Sequence, residues 1–174
     1  MELKARYARA MERLYVACIA VSGVALVLIT LAIPYGVFTR YVLNSAASWP
    51  EPFAVILMVL FSFVGGAAVF RANAHIAVRA LIEAVPRSVG RAMQWLIELS
   101  MIVACVFMVV HGGKLVQATW HQGLAEFPWF PVGLNYAPIP LGGLITLLFI
   151  VERLWVGEPP ETSVMYRDEP TAVE

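Results

Sequence analysis

Apolar residues gather in four long runs rather than in short alternating stretches. They dominate at about 14–38, 52–70, 92–113 and 134–151, the last span continuing to about 155, and charge bounds each run: Arg13 and Arg40, Glu51 and Arg71, Arg91 and Lys114, Glu126 and Glu152. Each run is close to the roughly 20 apolar residues that a helix needs to cross a bilayer core. None alternates with the period of two that a membrane barrel strand requires. The pattern predicts an all-α integral membrane protein with four transmembrane helices. Residues 1–13 form a basic leader, 14–156 the four-span membrane domain and 157–174 a polar tail. The tail, "EPPETSVMYRDEPTAVE", is rich in proline and charge and is expected to be flexible unless a partner orders it.

A different periodicity lies between the second and third runs. In "ANAHIAVRALIEAVP", Val78, Leu81, Ile82 and Val85 recur at helical spacing, with His75, Arg79 and Glu83 on the other side. This predicts a short amphipathic helix lying in the membrane interface and ended by Pro86.

Composition agrees with the membrane class. The chain has 174 residues, 60% hydrophobic and 14% charged, with a mean hydropathy of +0.77, whereas soluble domains carry about 25% charged residues. Formal net charge is zero, which offers no electrostatic footprint for nucleic acid. Cys18 and Cys105 both fall inside apolar runs, where a thiol behaves as a small hydrophobe.

The placement of charge matters more than its sum. Lys4, Arg6, Arg9 and Arg13 precede the first run, and Arg71, Arg79, Arg87 and Arg91 lie between the second and third; the other two connections hold only Arg40 and Lys114. The positive-inside rule therefore predicts that both termini are cytoplasmic. The basic leader and following apolar run resemble a secretory signal, but the run is too long, and the segment reads as an uncleaved anchor. Trp49, Trp120, Trp129 and Tyr136 then fall near the outer interface, and Trp95 and Trp155 near the inner one, as an aromatic belt does.

Candidate chemistry is sparse. A haem held between spans needs two His at one depth, but His75 lies in the cytoplasmic connection, His111 near the outer end of the third run and His121 in the outer loop. There is no Cys/His/carboxylate cluster with metal-ligand spacing, no Ser with an evident base and no Gly-rich phosphate loop. The sequence thus predicts no catalytic residue, no cofactor and no metal. Glu98, in "RAMQWLIELSMIV", is the carboxylate that falls within a run, one turn from Gln94. A carboxylate there is costly unless it reaches the headgroups or meets a cation on another helix or subunit.

Three segments carry a resemblance. "RYVLNSAASWPE" resembles the first outer loop of the small membrane subunit of tripartite ATP-independent periplasmic (TRAP) transporters, the DctQ-like small permeases. "FRANAHIAVRALIEAVP" is similar to that family's segment after the second span, with a His-Ile pair before an amphipathic run. "YAPIPLGGLITLLFIVERL" resembles its last span. Two positions depart from the family pattern: Glu51 is followed by Pro52 where two acidic residues are usual, and Arg79 stands where an Asp is usual.

The resemblance implies a non-catalytic subunit in the bacterial inner membrane. Its implied partners are a large multi-span permease subunit, which carries the sodium and substrate sites and works as an elevator, and a periplasmic binding protein that delivers an organic acid. Within that frame Arg40, Trp49, Glu51, His75, Arg79 and Glu98 are the candidate interface or structural residues. Arg40 and Glu51 can pair within their own loop or with a partner. A self-contained four-helix module, either a redox-anchor subunit or a homo-oligomeric channel, is the alternative that the residues alone leave open.

Overall fold

A computed structural model describes residues 2–45, 47–72 and 87–157. The interfacial helix expected around His75 and Arg79, and the tail beyond 157, lie outside these residues. Among these residues four helices are long and apolar enough to cross a membrane. They are α1 (Glu2–Tyr41), α2 (Pro50–Arg71), α3 (Arg87–Thr119) and a last span made of a short α4 (Val132–Tyr136) followed by α5 (Pro138–Trp155).

Helix α1 starts far ahead of the apolar run it contains. Glu, Leu, Lys, Ala, Arg and Met are all strong helix formers, so the charged leader extends the helix instead of breaking it. At about 1.5 Å per residue, its 40 residues reach about 60 Å, twice a bilayer's hydrocarbon thickness. The helix runs through Pro34, which removes one N–H from the ladder, a loss that membrane helices tolerate.

The helices form an open row. α2 packs on α1 and on α5, α1 also meets α5 directly, and α5 carries α3 on its far side; among the described residues α3 touches only α4 and α5. The core lies toward one end of the row. It joins Met11, Tyr15 and Cys18 of α1 to Val64, Ala67 and Ala68 of α2 and to Ile145 and Phe149 of α5. Small residues set the spacing, as in membrane packing generally. A Cβ added at Gly142 would lie 2.8 Å from the Phe63 carbonyl oxygen of α2, and one at Gly143 would lie 3.1 Å from the Cys105 carbonyl oxygen of α3. These adjacent glycines let α5 approach a neighbour on each side. The outward side of α3, including Leu96, Leu99, Val103 and Phe107, is uncovered.

Candidate functional site

The described polar side chains concentrate at the two ends of the row. Helices alternate in direction, so the start of α1, the end of α2, the start of α3 and the end of α5 share one end. That end holds an ion cluster whose members the hydrophobic runs used only as boundaries or passed over.

Arg71, on the last turn of α2, is 7% exposed, and Glu152, on the last turn of α5, is 3% exposed. The Arg71 guanidinium donates Nε to Glu152 Oε2 at 2.8 Å and Nη2 to Glu152 Oε1 at 2.9 Å, a two-pronged pair. Its Nη1 donates to Glu12 Oε2 of α1 at 2.7 Å. The planar cation also lies 5.0 Å from the ring centroid of Tyr15 and 5.5 Å from that of Phe149. One cation therefore ties three helices together, with aromatic rings supplying part of the solvation that water has lost. Tyr7 adds a further bond from α1 to α5, donating its hydroxyl to the Leu148 carbonyl at 3.0 Å, and its ring meets that of Trp155 edge-on.

The next residue on α5 extends the cluster to the remaining span. Consecutive helical residues point about 100° apart, so Glu152 and Arg153 face different neighbours. Arg153 Nε lies 3.2 Å from Glu98 Oε1 of α3, with both side chains partly buried. Glu98 Oε2 is buried without a hydrogen-bond partner among the described residues. The in-span carboxylate thus meets a cation of its own chain. Through two adjacent, oppositely charged residues, α5 holds α1 and α2 on one side and α3 on the other.

At the opposite end the α1–α2 corner reverses over a few residues. Asn44 takes the left-handed conformation at φ 47°, which Asn tolerates better than most side chains. Buried Thr39 donates to the Gly36 carbonyl at 2.9 Å. Pro50 and Pro52 fall in the first turn of α2, where a missing N–H costs nothing. Arg40 and Glu51 pair with each other at 2.8 Å across the corner, and both are well exposed. Trp49 sits between Tyr35, 5.6 Å away, and Phe53, 6.0 Å away.

The 120–131 loop forms a narrow tip beside this end. The Val132 N–H donates to the Gln122 carbonyl at 2.7 Å, and the Leu124 N–H to that of Phe130 at 3.2 Å. Trp129, 79% exposed, projects from the tip between Phe127 and Phe130. His111 stacks on Phe107 along α3, with centroids 4.2 Å apart.

Of the six candidate residues, the structure brings Arg40, Trp49 and Glu51 together at one corner and places Glu98 in the α3–α5 pair; His75 and Arg79 fall outside the described residues. Arg71, Glu12, Glu152 and Arg153 were the residues to add. Their sequence signal was the coincidence of Arg71 and Glu152 as charges closing two runs at the same end.

With this geometry in place, two comparisons bear on the chain. Residues 29–158 match the family described as "Tripartite ATP-independent periplasmic transporters, DctQ component". A protein of Haemophilus influenzae described as a TRAP transporter small permease is 25% identical over 143 residues, which cover 82% of this chain and 86% of the relative.

Proposed function

Because the chain belongs to the DctQ-component family of tripartite ATP-independent periplasmic transporters, we propose that it is the small, non-catalytic membrane subunit that braces a large multi-span permease subunit. In this reading the large subunit performs sodium-coupled, elevator-type import of an organic acid delivered by a periplasmic binding protein. The small subunit sits in the bacterial inner membrane with both termini in the cytoplasm.

The observation that carries the proposal is the family match across most of the four-helix body. Its physical support is the form of that body. A brace has to resist deformation while presenting apolar width to a neighbour within the membrane. The ion pairs of Arg71 and Arg153 cross-link all four spans at one end, and the open row leaves the outer side of α3 uncovered. The distribution of Lys and Arg supports the orientation, and in this reading the Arg71 end is the cytoplasmic one.

The test is a mild-detergent pull-down of the tagged chain from native membranes, with co-purifying proteins identified by mass spectrometry. A single large, many-span permease at equal stoichiometry is the expected result. Recovery of the chain alone, or with a redox enzyme, would reject the reading. Arg40→Gln and Glu51→Gln then examine the exposed corner: unchanged recovery and uptake in both would remove it from the interface.

A further inference from the structure

The first three turns of α1 carry a basic ladder that neither the ion cluster nor the brace uses. Arg6, Arg9 and Arg13 are all exposed. At about 100° per residue they fall within an arc of about 60°. Buried Met11, Tyr15, Cys18 and Ser22 lie on the opposite side of the helix. Arg9 spends one N–H on the Ala5 carbonyl at 3.3 Å, one of the five donors of a guanidinium. Among the described residues none of the three arginines is ion-paired.

The same face changes character along its length. Past Arg13 it continues as Val16, Val24, Val27 and Leu31, which are 45%, 59%, 58% and 64% exposed. By the same helical arithmetic Val24, Val27 and Leu31 share the arc of the arginines and Val16 lies about 20° outside it. The switch from arginine to aliphatic side chains occurs beside the Arg71 cluster and the Tyr7–Trp155 contact, where the row ends. A lipid leaflet has this order of chemistry, phosphate first and acyl chain next. The ladder spans about 10 Å along the axis, comparable to a headgroup layer of roughly 5–7 Å together with the reach of an arginine side chain.

We propose that Arg6, Arg9 and Arg13 form a binding site for the headgroup phosphates of anionic phospholipids, whose acyl chains lie against Val16, Val24, Val27 and Leu31. The site requires only that α1 crosses the membrane; it does not depend on the identity of the large partner. Guanidinium groups suit it because each can grip a phosphate with two parallel N–H bonds. A basic residue close to an anionic surface strengthens attraction by about fivefold, so three in register give a preference of tenfold or more.

The test uses the full chain purified in mild detergent with whatever co-purifies, then stripped of lipid. It is titrated with phosphatidylglycerol or with phosphatidylcholine of the same acyl chains, and bound lipids are counted by native mass spectrometry. The wild type is expected to favour phosphatidylglycerol at least tenfold, with the preference falling as salt rises. Arg6→Gln/Arg9→Gln/Arg13→Gln should lose most of it. The matching triple Lys variant should keep part of it, and Lys4→Gln, on the other side of the helix, should leave it nearly intact. A wild type with no preference, or a triple Gln variant that retains it, overturns the proposal. So does a triple Gln variant with intact lipid preference that no longer recovers a protein partner, because the ladder then serves an acidic protein surface. If the Gln variant fails to fold, the wild-type salt dependence and the folded Lys variant decide: salt-insensitive binding in both is a refutation.

Discussion

Charge arithmetic at the Arg71 cluster gives an ordered set of stabilities. One guanidinium stands between two carboxylates, so the three substitutions to glutamine are not equivalent. Arg71→Gln leaves Glu12 and Glu152 facing each other with no cation, and Glu152 is nearly inaccessible to water. Removing one partner of a buried pair costs about 3–5 kcal/mol. Glu152→Gln keeps the Arg71–Glu12 pair and one acceptor oxygen, and loses a two-pronged charged contact for about 2–3 kcal/mol. Glu12 has a 43% exposed side chain, so Glu12→Gln should cost under about 1 kcal/mol. For a chain of this size each kcal/mol moves the melting temperature by about 2–4 °C, which puts Arg71→Gln at least about 6 °C below the wild type. The assay is built into the core: Cys18 and Cys105 are buried thiols, so a thiol-reactive dye in a thermal ramp reports unfolding in detergent. Arg71→Gln/Glu152→Gln should recover part of the loss, because it removes one of two stranded carboxylates. Equal melting temperatures for Arg71→Gln and Glu12→Gln, or no recovery in the double variant, would refute the cluster as the tie between α1, α2 and α5.

Three further outcomes follow from geometry. Gly142→Ala should lower stability by about 1–3 kcal/mol, because its Cβ meets the α2 backbone at Phe63; Gly23→Ala, with nothing within 4 Å, should be neutral or gain up to about 1 kcal/mol, and both are read in the same thermal ramp. Arg40→Gln or Glu51→Gln in the isolated chain should shift stability by less than about 1 kcal/mol, since their pair is exposed; a melting shift above about 5 °C would contradict this. Maleimide should leave Cys18 and Cys105 unmodified in the folded chain and alkylate both after denaturation, as counted by intact mass.

The four apolar helices were legible because length and apolar content settle a membrane span almost unaided. The extension of α1 was less so: the charges of Lys4, Arg6, Arg9 and Arg13 precede the apolar run and hide an unbroken run of helix-forming residues. The pairing of Arg40 with Glu51 was one of two options the loop offered, and short sequence separation made it the local one. Glu98 stood out as a costly carboxylate, but its cation, Arg153, is 55 residues further on, and no periodicity links them. Arg71, Glu12 and Glu152 were harder still. Their union depends on the lateral order of the helices, which hydropathy does not encode, and Glu12 is concealed among four basic neighbours.

The position of α5 has a consequence for biogenesis. It is made last, yet it stands between α2 and α3 in the row. When the chain has been synthesised only as far as Thr119, the α1–α2 hairpin has its own contacts, while α3 still lacks both of the elements it packs on among the described residues. Completion therefore depends on a final insertion that wedges one helix between two already in the membrane, with Gly142 and Gly143 leaving room on either flank and Glu152 and Arg153 arriving near the end to lock both sides. A ribosome that stalls before this helix emerges leaves a hairpin and a span without its neighbours, with Arg71 short of its main counter-charge.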